Sequence, residues 1–265
     1  MIVEAADYDA VAADPIAAKY LRPFRQATEM LHDRPRWCLW LVDASPSDLR
    51  ASPILKGRLA AVAESRNASK TVSVQAQAKT PALFTQIRQP KTRYLALPEV
   101  SSKNRDYIPG RYYDPDVIAG NKLILWPDTP LWLFGYLQSA AFMAWVRAFA
   151  GRMKSDFSIS PSTVYFTFPF VMPTAGAFAR VDEATQAVLD AREAHPEESL
   201  ADLYDRLAMP LDLRKAHDRL DTVIDSLYRL KKPTSAERLT RLCAEYAALA
   251  MPLEATGQRK RPPRR

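Results

Sequence analysis

The sequence predicts an α+β fold. A sheet-containing first part covers about residues 14–175, a small all-α domain covers 176–250, and a disordered basic tail covers 251–265. Three observations lead there. Short apolar runs with strand composition, RWCLWLV, TRYLALPEV and NKLILWPD, all fall within the first 130 residues. From Gly176 to Ala250 the apolar residues instead recur at helical spacing. At 265 residues and 48% apolar content the chain is long enough to bury one large or two modest cores.

Each element has its own justification. RWCLWLV, 36–42, is a continuous apolar run ending at Asp43 and Pro46, which predicts a strand buried on both faces. PILKGRLAAVAESRNA, 53–68, places Ile54, Leu55, Leu59 and Val62 at helical spacing behind a Ser-Pro start, so it predicts a helix. KTVSVQAQAK is a polar stretch. TRYLALPEV predicts a second strand through Tyr94, Leu95 and Leu97, and YIPGRYY and NKLILWPD are two more candidates separated by turn residues. The segment 129–151 is apolar almost all round, with Thr129 as N-cap, Pro130 at the first helical position and Gly151 as C-cap. Gln138 and Arg147 interrupt it, so it predicts a single buried core helix and not a membrane span.

After the chargeless STVYFTFPFVMPT the chain becomes helical. Val181, Thr185, Val188 and Leu189 share one face. Leu213, Leu220, Val223, Ile224 and Leu227 share another, and Leu239, Leu242, Tyr246 and Leu249 a third. Pro196, Pro210 and Pro233 punctuate them into a small bundle.

Most catalytic chemistry finds no home in these residues. The seven glycines are dispersed with no two one residue apart, which excludes a GxG cofactor or phosphate loop. No GxSxG or Cys/His pairing supplies a nucleophile, so no catalytic residue is assigned. Asp114 and Asp116 with Lys122 resemble a nuclease cluster, but Gly120 stands where a second acid is needed, and turn aspartates are the simpler reading. Cys38 and Cys243 read as buried thiols, and His32, His195 and His217 as scattered surface residues, so no metal ligand is assigned. No run of eighteen apolar residues is present and MIVEAADYDA lacks the layout of a secretion signal. The expected location is the cytoplasm, without a membrane partner.

Charge is divided unevenly along the chain. Residues 1–49 carry five Lys/Arg against eight Asp/Glu, 50–160 sixteen against seven, 176–250 eleven against fourteen, and the last fifteen five against one. A positive excess confined to one region suits a polyanion surface. Three clusters there interleave cations with short polar and aromatic residues: IRQPKTRY, SSKNRDYIPGRYY and GRMKSD. Lys and Arg neutralise phosphates, while Asn, Ser and some Arg reach base edges. The candidate DNA-binding residues are Arg88, Lys91, Arg93, Ser101, Ser102, Lys103, Asn104, Arg105, Arg111, Lys122, Arg152, Lys154 and Ser155. Tyr107, Tyr112 and Tyr113 read as packing residues.

Seven ordered phrases carry a family resemblance: AAKYLRPFRQATEML, RPRWCLWLVDASPSDLR, ALFTQIRQP, ALPEVSSKNRDYIPGRYYDPDVIAGNKLILWP, MAWVRAFAGRMKSDF, TVYFTFPF and LADLYDRLAMPLDLRKAHDRLDTVIDSLY. From about Asp14 to Leu249 the chain resembles the target-recognition and C-terminal helical segments of MmeI-like enzymes. These are restriction-modification proteins and related adenine-specific DNA methyltransferases. The resemblance implies that this chain holds duplex DNA and chooses its sequence. It also implies that S-adenosylmethionine binding and methyl transfer belong to a separate methyltransferase domain, in cis or in trans, so that this chain alone is no enzyme and holds no cofactor. By matched phrase, Arg88, Pro90, Ser101, Ser102, Arg105 and 152–156 fall in the family's recognition region. Where the family commonly shows Tyr-Asn-Asn-Phe-Pro, this chain has Tyr165, Phe166, Thr167, Phe168 and Pro169. The competing expectation is a protein-interaction scaffold within such an assembly, docking through 161–175 and the helices.

Overall fold

The structure, a computed structural model, describes residues 1–256; the remainder of the expected basic tail lies outside the described residues. The chain forms two compact units. One comprises Met1–Ala96 and Arg111–Asp128, the other Leu97–Gly110 and the chain from Thr129 onward.

In chain order the elements up to residue 101 are β1 (Ile2–Val3), α1 (Ala5–Ala12), β2 (Leu21–Arg25), α2 (Ala27–Leu31), β3 (Trp37–Leu39), α3 (Pro46–Ala51), α4 (Pro53–Asn67), α5 (Val72–Ala76), β4 (Tyr94–Pro98) and β5 (Val100–Ser101). There follow β6 (Arg111–Tyr113), β7 (Ile118–Ala119), β8 (Leu123–Pro127), α6 (Leu131–Leu137), α7 (Ala140–Phe149), β9 (Gly151–Met153) and β10 (Asp156–Ser158). Helices α8 (Ala175–Glu193), α9 (Leu200–Leu203), α10 (Leu211–Leu227) and α11 (Ser235–Thr256) complete the described chain. Among the described residues every strand precedes 159 and the rest is helical or irregular, which is the expected α+β class.

The first unit is organised by a four-stranded sheet of order β1-β3-β2-β7, antiparallel except for the parallel β2/β7 pair. As the apolar run predicts, β3 is buried on both faces, though it spans three residues and not seven. Leu39 faces a cluster of Val3, Val11, Ala17, Leu41 and Leu55, while Cys38 packs with Phe24 and Ile118 on the other side. That burial pushes the Cys38 thiol up to about 12, so it stays protonated. Helix α4 starts as expected: the Ser52 hydroxyl caps the Leu55 amide at 3.1 Å and Pro53 occupies the first position. The polar stretch after it folds into short α5. A second sheet, β6-β4-β8, is built on β4, all five residues of which are buried.

The second unit carries helices α6 to α11 and a three-stranded sheet of order β5-β10-β9. The single helix expected over 129–151 is in fact two. Ser139 begins a new helix by accepting the Phe142 amide at 3.2 Å, and Gln138 and Ser139 are fully buried at the break. The N-cap position of α6 is Pro130, not Thr129, and Gly151 opens β9 instead of closing a helix. His217, expected at the surface, is wholly buried on α10, whereas Cys243, expected inside, is exposed and its neighbour Leu242 takes the buried position. His32 is exposed, and His195 is paired with Asp212 at 3.0 Å.

Helices α6 and α8 cross so closely that a side chain at Gly135 would meet Thr185 Oγ1 at 2.3 Å and Val181 Cγ1 at 3.1 Å. The Thr185 hydroxyl is buried and bonded to the Val181 carbonyl at 2.7 Å, so it has nowhere to turn. Gly135→Ala is therefore expected to lower stability by about 1–3 kcal/mol through overpacking, read as a lower midpoint in chemical denaturation at unchanged slope.

Candidate nucleic-acid interface

The predicted cations divide between the two units. In the first, Arg88 and Lys91 are exposed on the loop leading into β4. Between them, Gln89 turns inward. Its amide donates to the Pro115 and Val117 carbonyls at 3.1 and 2.8 Å and accepts the Ala119 amide at 3.0 Å. The loop is thus pinned to the strand it crosses, and its cations project from a fixed base. Arg93 is exposed with its guanidinium 4.4 Å from the Tyr112 ring centroid, a cation–π contact. Lys122 is exposed in the turn before β8. Arg111 differs: burial opposes its charge, but hydrogen bonds from both guanidinium arms to Asp33 hold it, and its pKa is raised overall. It is the least available of these cations. Asp114 and Asp116 are exposed turn residues, and no group of three or more His, Cys, Asp or Glu able to hold a metal occurs among the described residues.

In the second unit the sheet unites two clusters that are fifty residues apart in sequence. β10 pairs with β5 on one side and β9 on the other, so Ser101, Phe157 and Arg152 stand in one row across three strands. Ser101 itself is buried, at 1% exposure, and contributes its place in β5, not its hydroxyl. The next residues turn outward. The Arg105 amide donates to the Ser102 carbonyl at 3.1 Å and the Lys103 amide to Asp156 Oδ1 at 3.2 Å, leaving the Lys103 and Asn104 side chains exposed. Beside them, β9 and β10 form a hairpin whose two-residue tip is Lys154 and Ser155, both exposed.

Several arginines gather on this platform. The Arg152 guanidinium lies 4.1 Å and that of Arg147 5.7 Å from the Phe157 ring centroid. Arg147, which sequence inspection treats only as an interruption of an apolar helix, comes from the last turn of α7 and donates to the Arg105 carbonyl at 3.1 Å. Burial, then the nearby Arg206 and Arg152 charges, pull its pKa down against the support of Asp106, 3.5 Å away. Arg105 is half-buried, and burial pulls its pKa down too. Asp156 and Asp205 support it only through space, and among the described residues no acceptor hydrogen-bonds its guanidinium. A desolvated cation without an acceptor is stabilised by a phosphate or by a guanine edge.

Lys154 has φ of 56°, the left-handed region that glycine favours at such a turn. A lysine held there costs about 1 kcal/mol of stability. Lys154→Gly is accordingly expected to raise stability by about that amount while weakening binding to an anionic polymer, whatever its sequence. Thermal melting and a filter-binding assay on the same preparation read both effects.

Comparison with known proteins bears on this arrangement. Residues 1–172 match the family described as "MmeI, target recognition domain" and residues 177–254 "MmeI, C-terminal domain". The chain is similar to DNA methyltransferase A of Bacillus subtilis (strain 168), 32% identical over 239 residues, which is 90% of this chain and 27% of that protein. It is also similar to the solved structure of the Type IIL restriction-modification enzyme MmeI in complex with DNA, at 37% identity and a TM-score of 0.91, over 94% of this chain and 34% of that one. The chain thus spans about a third or less of the length of these relatives. Because the two matched stretches cover nearly all of its sequence, the chain belongs to the MmeI family, as its target recognition and C-terminal domains.

Proposed function

We propose that this chain is the part of an adenine-specific DNA methyltransferase or restriction-modification enzyme that holds duplex DNA and reads its sequence. One observation carries the reading: the β5-β10-β9 sheet gathers the loop 102–105 and the hairpin 152–155 beside Arg147, with the desolvated Arg105 guanidinium lacking a hydrogen-bond acceptor among the described residues. Lys103, Arg152 and Lys154 serve phosphates, while Asn104 and Arg105 serve base edges, each good bidentate contact giving about 1–3 kcal/mol of discrimination. In the first unit Arg88, Lys91, Arg93 and Lys122 extend the phosphate contacts.

Methyl transfer and S-adenosylmethionine binding are assigned to a methyltransferase portion, in cis or in trans, and the place of action to the cytoplasm. Neither matched domain is named for catalysis, and the sequence holds no GxG loop. A docking face for that portion is offered by the chargeless 161–175 stretch, where Phe166 is 75% and Met172 66% exposed. The test is a gel titration with random duplex DNA at two ionic strengths. Salt-sensitive retardation supports the reading; no retardation at either strength overturns it in favour of the scaffold.

A further inference from the structure

The loop 102–105, exposed at Lys103 and Asn104, is followed by five residues that the helices grip almost one by one. The Asp106 carboxylate accepts three hydrogen bonds from Arg206, at 2.6 to 3.1 Å. The Tyr107 ring stacks on His217 with centroids 3.9 Å apart and planes 17° from parallel, and its hydroxyl donates to Asp221 at 2.8 Å. Gln138 Nε2 donates to the Ile108 carbonyl at 2.5 Å and Arg192 to the Gly110 carbonyl at 2.7 Å. These groups form one network. Arg192 also binds Gln138 and Tyr204, the Tyr204 hydroxyl meets His217 Nε2 at 2.9 Å, and Asp221 accepts the Ala140 amide at 2.6 Å. His217 and Asp221 are buried on α10, within the stretch matched to the C-terminal domain.

We infer that Tyr107 is a positioning residue for sequence reading: clamped by His217 and Asp221, it fixes the direction in which Lys103, Asn104 and Arg105 meet the duplex. The C-terminal helices thereby act on sequence preference through the loop they hold. The inference rests on the proposed function. Its physical basis is how the loop is held, with Arg147 on the Arg105 carbonyl between two anchored ends. At one end β5 and the Lys103–Asp156 bond fix it to the sheet. At the other the Tyr107 ring is fixed in tilt by the stack and in rotation by the hydroxyl bond, which is more than space-filling requires. Base-edge hydrogen bonds lose strength steeply with small errors of angle, whereas phosphate attraction tolerates them.

The test uses the full chain and a randomised duplex pool from which bound molecules are sequenced. Tyr107→Phe keeps the ring on His217 and loses only the hydroxyl. Its enrichment of preferred sequences is expected to fall about tenfold, the scale of one misdirected base contact, with the salt dependence of random-duplex binding unchanged. Asp221→Asn still accepts from Ala140 and offers its amide to the Tyr107 oxygen, so it is expected to retain wild-type enrichment. A folded Tyr107→Phe protein that enriches the same sequences as strongly as wild type overturns the inference. Should that variant not fold, His217→Gln removes the ring on which Tyr107 stacks while keeping a polar group for the Tyr204 hydroxyl, and undiminished enrichment there overturns it equally. If the wild type binds DNA but enriches nothing, the proposed sequence reading fails, and the clamp with it.

Discussion

Raising salt from 50 to 200 mM is expected to weaken random-duplex binding by roughly a thousandfold, the loss that accompanies about six neutralised phosphates. The first unit exposes Arg88, Lys91, Arg93 and Lys122, and the second exposes Lys103, Arg152 and Lys154. Contact of most of these seven with phosphates would give a loss of that size. Each lysine changed to alanine should reduce the slope of log affinity against log salt by about one, evenly across sequences. Arg105→Gln should leave that slope nearly intact and change which sequences are preferred. A flat titration would remove nucleic acid from the account and leave the basic clusters as solvated surface.

Arg192→Met is expected to destabilise the protein by about 3 kcal/mol or more, because removing the guanidinium strands several acceptors at once. Its nitrogens reach the Tyr204 hydroxyl, Gln138 Oε1 and the Gly110 carbonyl, and its charge lies over the Phe134 and Tyr204 rings. The Tyr204 ring is buried, at 1% exposure, so water does not readily replace what is lost. In a chain of this size the loss corresponds to a fall in melting temperature of roughly 6–12 °C. Arg219→Met, which breaks a surface pair with Glu183, serves as the control and should shift it little. Equal shifts for the two would mean that the Arg192 network contributes no more than a solvated ion pair.

The elements legible in the sequence were those whose physics is local. β4 and α4 announce themselves through an unbroken apolar run and a Ser-Pro cap. The break at Gln138–Ser139 was not read, because the apolar periodicity of 129–151 outweighed a single capping serine. His217 looked like surface amid charged neighbours. Yet it lies four residues after Leu213 and three before Leu220, on the buried stripe of α10, and its position carried the signal that its residue type concealed. Cys243 erred the other way, one place off the stripe that holds Leu242. In the basic region the clusters were visible as composition. That 102–105 and 152–155 flank one sheet is not, since pairing across fifty residues leaves no periodic trace, and for the same reason Arg147 reads only as an interruption of an apolar segment.

The shared sheet has an evolutionary corollary. On the proposed reading, the base-reading loop and the phosphate-holding hairpin beside it are best inherited together, because a chimera with its crossover between residues 106 and 150 would marry one parent's loop to the other's hairpin. Lineages that switch specificity should therefore exchange both segments together, and grafting experiments should transplant 100–105 with 151–158 as one cassette.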